Sequence, residues 1–227
     1  MKLLRYVFCL LVISNFTYAD DDIRRISVTG KSTITLDAQY SIIHTSVKRV
    51  SPEIDQSYKD LNQTLFVLFE KLKGVGLSDK DIVKSIITQG SEFRWERNSK
   101  KHIGYYSSSN VQLRINDLSL LPHIYRELSK HNSVTINSTE YGRNDEFEIR
   151  NKEFKKALVA AKAKAETMAE TLDVKVGPVL QISEIGSGGI IKREAYANVA
   201  RMAPRETGGT FGSVKISAMV AVEFELK

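Results

Sequence analysis

The chain has a single cysteine, Cys9, and it falls inside an N-terminal stretch that reads as removable. A mature chain without cysteine excludes disulfide stapling, thiol chemistry and cysteine-ligated metal. Long apolar runs are equally scarce. The one that opens the chain, Tyr6 to Ile13, is too short to cross a hydrocarbon core of about 30 Å. It follows the basic residues Lys2 and Arg5 and precedes Thr17-Tyr18-Ala19 and the acidic run Asp20-Asp21-Asp22. That order is the order of a secretory signal peptide. Residues 1–19 are therefore expected to be removed on export to the periplasm, leaving residues 20–227 without a transmembrane segment. Secretion or outer-membrane association are the alternative destinations. Lipidation of Cys9 is disfavoured, because bulky Tyr6-Val7-Phe8 stand where small residues are needed and Leu10 continues the apolar run.

Excess charge of one sign is also missing. The 33 basic and 27 acidic residues give +6, and removal of Lys2 and Arg5 lowers this to +4 over the mature chain. Spread over about 200 residues, this is an ordinary solvated surface, and no nucleic-acid partner is expected. A chain of this length buries roughly 70% of its unfolded surface, enough for one large domain or two small interlocked ones.

Motifs that carry chemistry are absent as well. His44, His102, His123 and His131 are scattered, and none forms His-x-His or His-Glu-x-x-His. On a helix His123 and His131 would lie about 80° apart, which is poor for sharing a metal. Ser187 stands in Gly186-Ser187-Gly188-Gly189, which is not the Gly-x-Ser-x-Gly elbow of a nucleophile, and no lysine or hydroxyl completes a phosphate loop there. Asp145, Glu146 and Glu148 gather before a helix, where negative charge is favourable by a few tenths to about 1 kcal/mol. That structural role is sufficient. No catalytic residue, metal ligand or cofactor is assigned.

What the chain does have is alternation. Ile26, Val28, Ile34 and Leu36 share one strand face; Ile103, Tyr105, Val111, Leu113 and Ile115 another; and Val214, Ile216, Ala218, Val220, Val222, Phe224 and Leu226 a third. Weaker strand patterns cover 40–51, 82–97, 134–141 and 176–185. Three helices interrupt them. The first spans 52–73, with Ile54, Tyr58, Leu61, Leu65, Leu68 and Leu72 as its stripe and Gly74 as its cap. The second spans 119–131 with Leu121, Ile124, Tyr125 and Leu128 inward. The third spans 148–172, with Phe154, Leu158, Ala161, Ala165, Met168 and Leu172 inward and alanines that let a sheet approach closely. The fold class is α+β: antiparallel sheets with three packed helices.

Two stretches suggest contact with other molecules. Residues 186–212 are bracketed by glycines around a basic middle in which Ile191, Ala195, Val199 and Met202 fall on one helical face. They read as a mobile insertion, or as a short helix that docks on a partner or lipid surface. Nearer the centre, Arg94, Arg97, Lys100, Lys101 and His102 surround Trp95, with Tyr105 and Tyr106 close by. The candidate interaction surface is Arg94, Trp95, Arg97, Lys100, Lys101 and Tyr106. Such a cationic and aromatic hairpin tip can grip anionic lipid, glycan or an acidic protein. The plainer reading places Phe93 and Trp95 in the core and leaves the charges to keep a tip soluble.

The segment ALVAAKAKAETMAETL, beginning at Ala157, followed by VGPVLQISE, beginning at Val176, resembles the most characteristic stretch of the SIMPL-domain family. Ile26 to Gly30 resembles the family's opening strand, Gly104-Tyr105-Tyr106 through Val111 its central strand, and Ile216 to Leu226 its last strand. Asp173 departs from the pattern, since members usually carry glycine after the long helix. Residues 207–211 also lack the proline often found before the last strand. The resemblance implies an exported SIMPL-like fold without agreed catalytic residues, in a family whose bacterial members are associated with the periplasm, oxidative-stress defence and immunogenicity.

The expectation is thus an exported, non-catalytic envelope interaction or scaffold protein, with stress tolerance implied by the family alone. The alternative is a periplasmic hydrolase or small-ligand-binding protein with a composite site. Clean strand faces imply sheet edges that need covering, so a homo-oligomer is expected, together with an envelope protein or anionic surface as partner.

Overall fold

The computed structural model describes residues 24–96, 99–186 and 211–227. The signal segment, the interior of the glycine-bracketed stretch and Arg97 lie outside the described residues. The chain order is β1 (Arg25–Asp37), β2 (Tyr40–Ser51), α1 (Ile54–Val75), β3 (Ile82–Lys84), β4 (Thr88–Glu96), β5 (Ser99–Ile115), α2 (Leu121–Ser129), β6 (Val134–Gly142), α3 (Glu146–Thr171), β7 (Val176–Glu184) and β8 (Ser213–Leu226). The α+β expectation holds. The region expected as one strand over 82–97 divides in two after Ser85, whose backbone N–H donates to the Asn110 carbonyl at 2.8 Å, and the pairing with β5 shifts by one residue between Lys84↔Val111 and Thr88↔Ser108. The Ser85 hydroxyl in turn accepts from the Asn110 N–H at 3.0 Å.

Two antiparallel sheets form. The first has the order β1-β8-β7, and the second β3-β5-β2-β6, with β4 following β3 along the same edge of β5. β1 and β8 pair without a shift from Arg25↔Glu225 to Asp37↔Ser213. Their alternating apolar residues, among them Ile26, Val28, Val220, Val222 and Phe224, turn to one side and are buried under α3.

The helix contacts that sheet through a narrow stripe. Ala157, Ala161, Ala165 and Ala169 recur at four-residue spacing and are no more than 1% exposed. Gly30 of β1 lies so close that a Cβ there would stand 2.0 Å from the Ala157 carbonyl oxygen and 2.7 Å from the Ala161 nitrogen. Leu158, Met168 and Leu172, expected inward, are instead exposed, Leu172 by 68%. Only methyl side chains fit where helix and strand backbones nearly touch, so the larger residues are turned outward. Glu153 occupies the same stripe, 1% exposed, with its carboxylate accepting from Ser32 Oγ at 2.5 Å and from Lys156 Nζ at 2.6 Å.

The second sheet carries α1 and α2. Leu61, Leu65, Leu68 and Leu72 of α1 join Leu121, Ile124 and Leu128 of α2 over Ile43, Val47, Val111, Leu113 and Ile115. Each buried leucine contributes about 1.5–3 kcal/mol. Ile54 and Tyr58, expected in the α1 stripe, are exposed, and α1 starts at Ile54 rather than at Pro52. Its end also differs. Gly74 stays inside the helix, while Gly76, at φ 121°, turns left-handed; its N–H reaches the Lys73 carbonyl and that of Leu77 the Leu72 carbonyl. At the end of α3, Asp173 takes the left-handed position, with φ 53°. This explains the preference for glycine at the position where this chain departs from the family pattern. α2 is shorter than expected and ends at Ser129, so His131 lies beyond it.

A polar junction links the halves. The Arg143 guanidinium grips Asp145 through two bonds of 2.9 Å and also donates to the Asp37 carbonyl at the end of β1. This pairing holds the Asp145 carboxyl below the usual aspartate value. Gln39 accepts from the Asn144 N–H at 2.9 Å, tying the β1–β2 turn to the approach to α3.

Candidate interaction surface

β2 pairs with β5 only as far as Ser51↔Tyr105. Beyond that rung β5 continues with β4 alone, through Glu92↔Gly104, Phe93↔His102, Arg94↔Lys101, Trp95↔Lys100 and Glu96↔Ser99. The result is a two-stranded ribbon of five rungs. A register shift between Glu92 and Phe93 lets the two strands keep facing rows despite the extra residue on β5.

The helix-covered face of the sheet continues into this ribbon without its cover. The first buried residue of α1 is Ser57, whose hydroxyl meets that of Ser107 at 2.8 Å. Gln89 of β4 donates there too, to the Ile54 carbonyl at 3.3 Å and to Ser107 Oγ at 3.1 Å. Toward the tip from Ser107, the same face presents Tyr105, His102, Phe93 and Trp95. The rings of Phe93 and His102 meet edge to face at 5.3 Å, and those of His102 and Tyr105 at 5.1 Å. Lys100 Nζ sits 4.1 Å above the Phe93 ring. Trp95 is 73% exposed and Phe93 43%. The core placement of these two residues is therefore corrected: they share a strand face, as expected, but the sheet outruns its helix.

The opposite face of the ribbon carries Arg94 and Lys101, the latter 3.9 Å from Glu96. Glu92 is taken by Lys48 of β2 at 2.7 Å. The structure thus gathers Arg94, Trp95, Lys100 and Lys101 within the rungs nearest the tip. Tyr106 stands apart, at the base, opposite Gly90 and under Lys48 Nζ at 4.7 Å. The base is fastened by the Ser51 hydroxyl, which donates to Asp60 at 2.6 Å and, with Gln56, lowers that carboxyl's pKa.

A second feature was not foreseen. On the open face of the five-stranded sheet, a cleft of about 390 Å³ is lined by His44, Lys84, Ser85, Asn110, Gln112 and Asn137. It forms beside the break between β3 and β4. His44 Nε2 lies 3.5 Å from Glu140 Oε1 at its side. The signal was present in the alternation, where Asn110 and Gln112 mark a polar strand face, but the gap that makes a cleft depends on Ser85. Among the described residues, no three His, Asp or Glu side chains converge as a metal site. No described helix is long and apolar enough to cross a membrane.

Two open antiparallel sheets with helices on one side of each, the second extended by an uncovered ribbon, define an α+β protein. The profile of the SIMPL family, described as a protein of unknown function (DUF541), matches residues 26–224, and the chain belongs to that family. It is similar to the 26 kDa periplasmic immunogenic protein of Brucella melitensis biotype 1, with 25% identity over 217 residues, 89% of this chain and 85% of the relative. The protein of the same name in Brucella abortus matches over the same shares with the same identity.

Proposed function

We propose that this chain is an exported, non-catalytic interaction or scaffold protein of the periplasm, working through the β4–β5 ribbon and through self-association. The observation that carries the reading is Trp95, a large aromatic side chain left in solvent among basic residues at the end of a ribbon. The order of the N-terminal residues and the periplasmic designation of the Brucella relatives support the compartment. Self-association is supported by open sheets whose outer strands include β7, with exposed Val179, Leu180 and Ile182. Crosslinking in cells followed by purification of the processed protein tests the interaction. Partners or higher oligomers are expected, and a species recovered as one chain, with Trp95→Ala indistinguishable from the parent, refutes it. A tie to oxidative-stress tolerance rests on the family resemblance and is tested by growth of a deletion strain in peroxide.

The cleft at His44 favours a second reading, a small-ligand-binding protein or hydrolase. Its amide groups, beside Lys84, suit a small polar ligand. Titration with periplasmic small-molecule extracts, followed by the His44 ring resonances, separates this reading from the first.

A further inference from the structure

We propose that the ribbon tip docks on the surface of an anionic phospholipid bilayer, with Trp95 and Phe93 entering the headgroup boundary and Arg94, Lys100 and Lys101 meeting lipid phosphates. This rests on the interaction reading above and names the partner of that surface.

Three observations carry it. The first is the pairing of residue types. Aromatic rings with an apolar body settle at the bilayer interface, and long basic side chains keep their charge at phosphate level while their stems lie along apolar surface. Lys100 already shows this posture, its ammonium 4.1 Å above the Phe93 ring on the same rung as Trp95. The second is charge. Of the two acidic residues on the described ribbon, Glu92 is held by Lys48 from outside it at 2.7 Å, and Glu96 has Lys101 at 3.9 Å. Arg94 and Lys100 remain to face an anionic plane, to which each such residue adds about fivefold in affinity, or about 1 kcal/mol. The third is shape. Trp95, 73% exposed, and Phe93, 43% exposed, stand out on the last described rungs of a ribbon that only two strands form. A flat, deformable surface meets it without reorganisation.

The anchorage also explains the rigid base. The Ser51–Asp60 and Ser57–Ser107 bonds fix the ribbon where it leaves the sheet, so the tip is presented in one direction. The region near the tip thus holds an aromatic row on one face and a cationic pair on the other, a pattern that a bilayer edge-on insertion satisfies on both faces at once.

Trp95 is the only tryptophan of the chain, so its emission reports this tip alone. The purified mature protein is titrated with vesicles of phosphatidylcholine and phosphatidylglycerol in equal parts, and with phosphatidylcholine vesicles as comparison. A blue shift and cosedimentation are expected with the anionic vesicles, weakened severalfold by 0.5 M salt. Arg94→Gln with Lys100→Gln is expected to weaken binding about thirtyfold, from about 1 kcal/mol per basic residue. Trp95→Ala is expected to weaken cosedimentation roughly tenfold. These side chains are solvent-exposed, and an unchanged circular dichroism melt checks that the variants fold. Unshifted emission with anionic vesicles, or equal binding to both vesicle types, overturns the proposal. Loss of a crosslinked envelope protein in the Trp95→Ala strain, with vesicles ignored, overturns the lipid assignment while sparing the interaction reading; unchanged crosslinking and unchanged vesicle binding overturn both.

Discussion

Replacing Gly30 with alanine tests how α3 sits on the first sheet. The added Cβ would stand 2.0 Å from the Ala157 carbonyl oxygen, 2.7 Å from the Ala161 nitrogen and 2.8 Å from Ala161 Cβ. Ordinary contact needs about 3.4 Å, and two of these atoms are backbone, so no rotamer change relieves the clash. The helix must move outward by more than 1 Å, separating Ala157, Ala161 and Ala165 from Val28, Val220 and Val222. Overpacking of this kind costs about 1–3 kcal/mol, and a backbone clash belongs at the upper end, about 3 kcal/mol. For a chain of this size that lowers the thermal midpoint by roughly 6–12 °C and the urea midpoint by about 1 M. Gly74→Ala is the matched control. Nothing lies within 4 Å of its new Cβ, and alanine inside a helix gains roughly 0.5–1 kcal/mol over glycine. Equilibrium urea melts of the three proteins read both effects. A Gly30→Ala loss below about 0.5 kcal/mol would refute the close seating of α3 on β1.

Three further outcomes follow from the same packing. Ala161→Leu should cost about 1–3 kcal/mol while Lys164→Leu, on the exposed side, costs under about 0.5; equal losses in denaturant melts would mean the buried stripe is misplaced. Lys156 first and Ser32 second hold the Glu153 carboxyl below its ordinary value of 4.5, so its stabilisation is complete above that value and is lost as pH falls through the lower folded one. The stability gap between the parent and Glu153→Gln should therefore be wide at pH 7 and shrink as pH falls below the ordinary value, and a gap independent of pH counts against the ion-paired carboxylate. Asp173→Gly should raise stability by roughly 0.5–1 kcal/mol by removing a side chain from a left-handed position at φ 53°, which a thermal melt will detect.

Strand faces were legible because their period is set by the pleat, and burial of one side imposes it directly on residue type. Val214 through Phe224 reads from the sequence as it stands in the sheet. Helix faces were legible only where large residues do the packing. In α1 the leucines at 61, 65, 68 and 72 point inward as expected, but Ile54 and Tyr58 continue the same period past the end of the surface they would cover. In α3 the same rule misleads, because a helix seated on Gly30 buries methyl groups and turns its leucines and methionine out. Hydrophobic size ranks residues by transfer energy, whereas close approach selects by volume. The pairing of the first strand with the last had no local signal, since nothing in either strand's alternation names its partner across nearly the whole chain.

The candidate surface divides along the same line. Its composition was visible: Trp95 among Arg94, Lys100 and Lys101 is a local cluster that any hairpin would bring together. Its exposure was not, since Phe93 and Trp95 lie on the face that is buried farther along β5. What decides their fate is where α1 begins, and that follows from β2 ending at Ser51, three residues before the helix opens at Ile54, rather than from any property of the ribbon. A helix two turns longer at its N-terminus would have turned the same residues into core. The pattern of a strand states which side chains travel together, and the reach of the neighbouring helix states whether they meet protein or solvent. In this chain the second statement makes an aromatic row into a surface, and Tyr106, on the other face and already under Lys48, stays out of it.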